Sequence, residues 1–170
     1  MERTDPDTQA AEPAMIGQYL DYHRATLVGK ASGLDRDQLA RTHPPSTLTL
    51  IGLVKHAALN EDHWFQHVLL GRPRPEPWAS APWDDDEDWE FTTAVGDDPA
   101  YVFHLYDQAC ARSRAALAEV GDLDTLSLGT SRRGERFSAR WITLHMIEET
   151  ARHNGHADLL RESIDGVTGE

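Results

Sequence analysis

From Ser138 to Ile164 the apolar side chains Ile142, Met146, Ala157, Leu160 and Ile164 recur every three or four residues, the spacing of one face of an α-helix. Glu149 and His153 fall in the middle of that same stripe. Thr143, Thr150, Asn154, Asp158 and Arg161 mark the opposite side, expected to be wet, with Ile147 out of phase among them. An inward carboxylate costs several kcal/mol unless a cation, a proton or a metal compensates it. Glu149 therefore needs a partner. His153, one turn further on, makes the pair either half of a metal site or a simple ion pair across one turn.

Three other stretches share the helical period. Pro13 suits the first turn of a helix running to about Ala31, with Ile16, Leu20, His23 and Leu27 inward. Thr49 can cap a second helix that ends near Leu70, before Gly71 and Pro73, with Leu50, Leu53, Ala57, Trp64 and Val68 inward. Asp97 or Asp98 can cap a third that ends near Val120, with Val102, Leu105, Ala109, Ala116 and Val120 inward. Ser138 or a neighbour caps the fourth. Between helices two and three, RPRPEPWASAPWDDDEDWEFTTAVG is broken by four prolines and reads as a long surface loop rich in Trp, Pro and Asp. Its three tryptophans suit either a lid over a site or a seal on the core. The segment LSLGTSRRGERFSAR is a connector or short hairpin. Four such helices without alternating strands predict an all-α bundle in one domain over residues 1–170, with 1–12 a flexible lead-in.

Helix two supplies partners for the Glu149/His153 pair. His56, Asn60, His63 and His67 lie within about 60° on a helical wheel. His56, inside the apolar run LVKHAAL, is nearest the middle, while His145 and His156 flank the pair on helix four as alternative ligands or outer partners. One His from helix two with Glu149 and His153 gives three N/O ligands and leaves coordination positions open, which distinguishes a catalytic zinc from a structural one. Nickel, iron and manganese suit the same donors. Arg112, Arg114, Arg140 and Arg152 are candidates to hold an anionic substrate, against the usual fate of arginine as a solvated surface residue.

The net charge of −13, from 29 acidic against 16 basic residues, argues against a nucleic-acid partner. No apolar run approaches the length of a membrane span. Cys110, the one cysteine, excludes an intrachain disulfide and reads as packing among small residues rather than as a nucleophile. Together these fit a cytoplasmic protein, and Ile147 on the wet face is compatible with a homodimer.

LTLIGLVKHAALNEDHWF and LHMIEETARHNGHADLLRESIDG resemble helices two and four of the DinB-like superfamily. Within it, the WDDDEDWEF loop and the ACARSRAAL helix resemble the actinobacterial branch related to mycothiol-dependent maleylpyruvate isomerase. The resemblance covers most of the chain. It implies an up-down-down-up four-helix bundle with a divalent metal, zinc first, held by His56, Glu149 and His153. It also implies transfer of a low-molecular-weight thiol such as mycothiol to a small electrophilic substrate. The chain is expected to lack the isomerase's extra carboxy-terminal domain, so that enzyme's substrate does not carry over. Two further readings remain open: a metal-dependent hydrolase with His63, His67 or His145 moving protons, and a non-catalytic metal-binding stress-response protein with its pocket closed by Trp78, Trp83 or Trp89.

Overall fold

The computed structural model describes residues 3–131 and 133–169, and among them the regular elements are all helical. They are α1 (Glu12–Ala31), α2 (Arg36–Leu39), α3 (Leu50–Glu61) continuing without a break into a π-helical segment (Asp62–Leu69), α4 (Trp89–Ala94), α5 (Pro99–Val120) and α6 (Ala139–Asp165). The expected caps are in place: the side chains of Thr49, Asp98 and Ser138 accept from the backbone N–H of Gly52, Ala100 and Trp141. Gly121 and Gly166 end α5 and α6 in the left-handed conformation, which relieves their last carbonyls at no steric cost. No described helix is long and apolar enough to cross a membrane.

α3 is buried on nearly every side, between α5, α6, α1 and α4. One apolar cluster joins α1, α3, α5 and α6 around Leu27, Leu53, Val54, Val102 and Ala157; a second gathers Leu20, Phe65, Leu69, Ile142 and Met146 near the π-helical segment. α1 also meets α6 along the side that carries Thr143, Thr150 and Asn154. Those three were expected on the wet face and are buried instead. The hydroxyls of Thr143 and Thr150 donate to the carbonyls one turn back, Ala139 and Met146, and the Asn154 amide donates to the His23 carbonyl at 3.0 Å. Hydroxyls that satisfy themselves locally, and an amide that reaches across to α1, let that helix close over them. Ile147, expected on the wet face, is half-buried against the second cluster.

The segment between helices two and three is more ordered than a plain loop. Trp78 is buried in the first cluster, its indole N–H donating to Asp62 at 2.8 Å. α4 follows, pinned by Lys55: this buried ammonium lies 2.6 Å from both Asp97 and Thr93 Oγ1, and 4.2 Å from the centre of the Trp89 ring. α2 was also unexpected, although its signal was present as a reciprocal capping box between Asp35 and Gln38.

The connector before α6 forms an isolated antiparallel bridge, Leu126 with Ser138, and closes the π-helical end. The amides of Leu128 and Gly129 donate to the carbonyls of Leu69 and Val68 at 2.9 and 2.8 Å. The backbones come so near that a Cβ on Gly129 would sit 2.8 Å from the His67 carbonyl oxygen. Ahead of α1, the Asp7 amide donates to Gln18 and the Arg3 guanidinium lies over Tyr22, while Met1 and Glu2 fall outside the described residues.

Candidate metal centre

His56 projects from the centre of α3, and Glu149 and His153 from adjacent turns of α6. One nitrogen from each imidazole and one Glu149 oxygen lie within 4.8 Å of one another, the one such group of three among the described residues. His153 Nε2 is 3.1 Å from Glu149 Oε1, and His56 Nε2 is 3.7 Å from the same oxygen. The three side chains keep 14–22% of their surface, so the cluster is half-buried and reachable. Asn60 stands at its edge, its Nδ2 3.0 Å from His56 Nε2 and 3.5 Å from Glu149 Oε1.

Glu90 fixes the orientation of His56. This buried carboxylate on α4 lies 2.8 Å from His56 Nδ1, which therefore carries the proton and leaves the Nε2 lone pair turned towards Glu149. Phe91, the next residue of α4, stacks on the other side of the imidazole, with ring centres 4.6 Å apart. Sequence reasoning missed Glu90, because a carboxylate in the run WDDDEDWEF looks solvated. A ligating histidine's need for an acceptor on its second nitrogen was the available signal.

The donor chemistry fits a divalent ion. His56 Nε2 and Glu149 Oε1 both accept from the Asn60 amide, at 3.0 and 3.5 Å, so two acceptors converge on one donor that a cation would replace. Burial pushes the Glu149 carboxyl up, but the neighbouring His153 and His56 outweigh it and hold the group below its ordinary value. Burial and the nearby His56 push the His153 imidazole down, towards the neutral form that ligates metals.

The other predicted histidines are elsewhere. His145 stacks on Trp141 and meets Trp64 edge-on, and His67 is exposed, its Nδ1–H donating to the Arg72 carbonyl. His156 is the exception, with its Nδ1 3.4 Å from His153 Nδ1. His63 turns into a cleft beside the cluster, where burial, then Arg74 and His67, depress its pKa to about 4. Because the folded value lies below the unfolded 6.5, the neutral form is favoured by folding. That contribution is complete above about pH 6.5 and lost as the pH falls towards 4. An NMR titration is expected to show the His63 ring signals changing only below about pH 5; a midpoint near 6.5 would contradict its burial.

The four arginines proposed for an anion are engaged: Arg112 with Asp62, Arg114 with Asp21, Arg140 with Glu12 and Asp124, and Arg152 with Glu148. Cys110 is fully buried and its thiol is pushed well up, first by burial and then by Glu61, so it is no nucleophile.

The helices and the cluster between them define an all-α protein with an open-sided group of metal-competent side chains. The model of one family, Mycothiol-S-transferase, matches residues 15–166, and the chain belongs to that family. No curated protein matches the sequence.

Proposed function

We propose that this protein is a divalent-metal-dependent mycothiol S-transferase acting on a small electrophile. Its long helices form the up-down-down-up bundle of DinB-like proteins, and His56, Glu149 and His153 hold the ion, zinc first among nickel, iron and manganese. The observation that carries the reading is the convergence of two imidazole nitrogens and one carboxylate oxygen within 4.8 Å, in a chain of this family. When bound, such an ion supplies the Lewis acidity that lowers the pKa of a thiol.

The chain's own residues do the rest. Glu90 keeps Nδ1 of His56 protonated, so that Nε2 is the acceptor, met by the Asn60 amide, that an ion would take over, and Phe91 packs against the ring. Glu149 contributes the negative charge of the donor set, and Asn60 places an amide at the rim where a thiol would enter. With Cys110 buried, the sulfur must come from the small thiol. A hydrolase is less well supported, because His63, His67 and His145 are not gathered at the cluster. A sealed, non-catalytic site is less well supported too, because Trp78 packs into the core and the cluster keeps access to solvent.

Metal-loaded protein incubated with mycothiol and reactive electrophiles is expected to form the thioether conjugate faster than a Glu149→Ala variant does. Equal rates would overturn the reading. Glu90→Gln is expected to weaken divalent-ion affinity by about 10–100-fold, as loss of an outer hydrogen-bond partner does, without unfolding the chain. Competition against a chromophoric chelator reads it, and an unchanged affinity would remove Glu90 from the site.

A further inference from the structure

Beside the cluster lies a cleft of about 510 Å³, within the range of small-molecule sites. Asn60 belongs to both, so the cleft begins where the three candidate ligands end. Its other walls come from Leu59 on α3, His63 on the π-helical segment, and Arg74, Trp83, Asp84 and Glu87 in the segment between helices two and three.

The chemistry of the walls is specific. Arg74 donates and cannot accept; Asp84 and Glu87 accept and cannot donate; Asn60 does both. His63, held neutral, also offers one donor and one acceptor, and an Arg74 nitrogen approaches its Nδ1 at 3.5 Å. One guanidinium against two carboxylates leaves the cleft with one net negative charge, so it is not built for an anion. Trp83 adds an indole fixed from behind: its N–H donates to the Trp78 carbonyl at 3.0 Å and its ring meets Trp89 edge-on. Alternating donors and acceptors around a rigid aromatic wall fit a neutral ligand dense in hydroxyl groups, whose C–H faces pack on the ring while each hydroxyl both gives and takes a hydrogen bond.

We propose that this cleft binds the sugar–cyclitol part of the thiol cofactor. The inference rests on the mycothiol reading above. Mycothiol is N-acetylcysteine joined by an amide to a glucosaminyl-inositol, so the thiol and the polyhydroxyl part are separated by a short linker. With the sulfur at the cluster, the linker passes Asn60 and the two rings enter the cleft. The segment between helices two and three then serves both ends of the cofactor: α4 orients His56 through Glu90, and the residues before it hold the hydroxyls.

The test uses acetylated glucosaminyl-inositol, which has no thiol and needs no metal, titrated into the full chain by calorimetry and tryptophan fluorescence. Binding is expected in the wild type. A loss of tenfold or more is expected in Trp83→Ala and in the Asp84→Asn/Glu87→Gln variant, the latter's exposed positions leaving the core untouched. In turnover, the same variants are expected to raise KM for mycothiol at least tenfold and to leave that for N-acetylcysteine unchanged. Absence of binding in the wild type, or equal effects on the two thiols, would overturn the proposal. Binding of the disaccharide without any turnover of mycothiol would instead refute the transferase reading and leave the cleft assignment standing.

Discussion

Alanine at Glu149 is expected to weaken divalent-ion affinity by more than about 100-fold, beyond the range seen when only an outer partner is lost. Three donors are the minimum for an open site, and Glu149 is the one that brings negative charge. Without it, two imidazoles remain, 4.9 Å apart between ring centres, and no carboxylate neutralises the ion. Elemental analysis of untagged protein after reconstitution checks this: near one equivalent is expected in the wild type and under about a tenth in the variant. Stability should change little, since the carboxylate is half-exposed and its removal leaves no buried cation behind. Equal metal content in both proteins would exclude Glu149 from the ligand set.

A different variant tests the frame instead. Arg24 on α1 and Glu61 at the end of α3 form a two-pronged ion pair at 2.7 and 2.5 Å, with both side chains almost fully buried. Asp21 and Arg114 extend it towards the surface. Replacing Arg24 by methionine strands the Glu61 charge, and breaking a buried pair in this way costs about 3–5 kcal/mol. For a chain of this size that lowers Tm by roughly 10 °C or more. The double variant Arg24→Met/Glu61→Leu is expected to recover most of the loss, because well-packed apolar groups replace such pairs at little cost. If Arg24→Met melts with the wild type, the pair is not what joins α1 to α3.

Much of this arrangement was legible in the residues. Caps and stop signals placed the four long helices to within a residue or two, because Thr49, Asp98, Ser138 and Gly71 act locally. Glu149, His153 and His56 could be paired because each lies where helical periodicity is undisturbed. Periodicity failed where tertiary contact decides. Thr150 and Asn154 look solvated until α1 packs on them, and Arg24 looks like a surface arginine until Glu61 faces it. Lys55 is buried because Asp97, Thr93 and Trp89 arrive from a segment dozens of residues away. The role of Glu90 depends on that same docking, so nothing local to WDDDEDWEF announced it.

His63 and His67, which share a sector of the wheel with His56 and Asn60, lie further along the rod and stay outside the ligand group, on the wide turn over Asp62–Leu69. A π turn spends more residues per revolution than the 3.6 of an α-helix, so every position beyond Glu61 is rotated relative to the count kept before it. His56 and Asn60 keep the bearing of the first half; His63 takes that of the second and leaves the ion for the cleft. One continuous rod thus carries two compass settings. The seven-residue step from His56 to His63 adds about 10 Å of axial rise, so one rod serves an ion at one level and the wall of a cleft at the next.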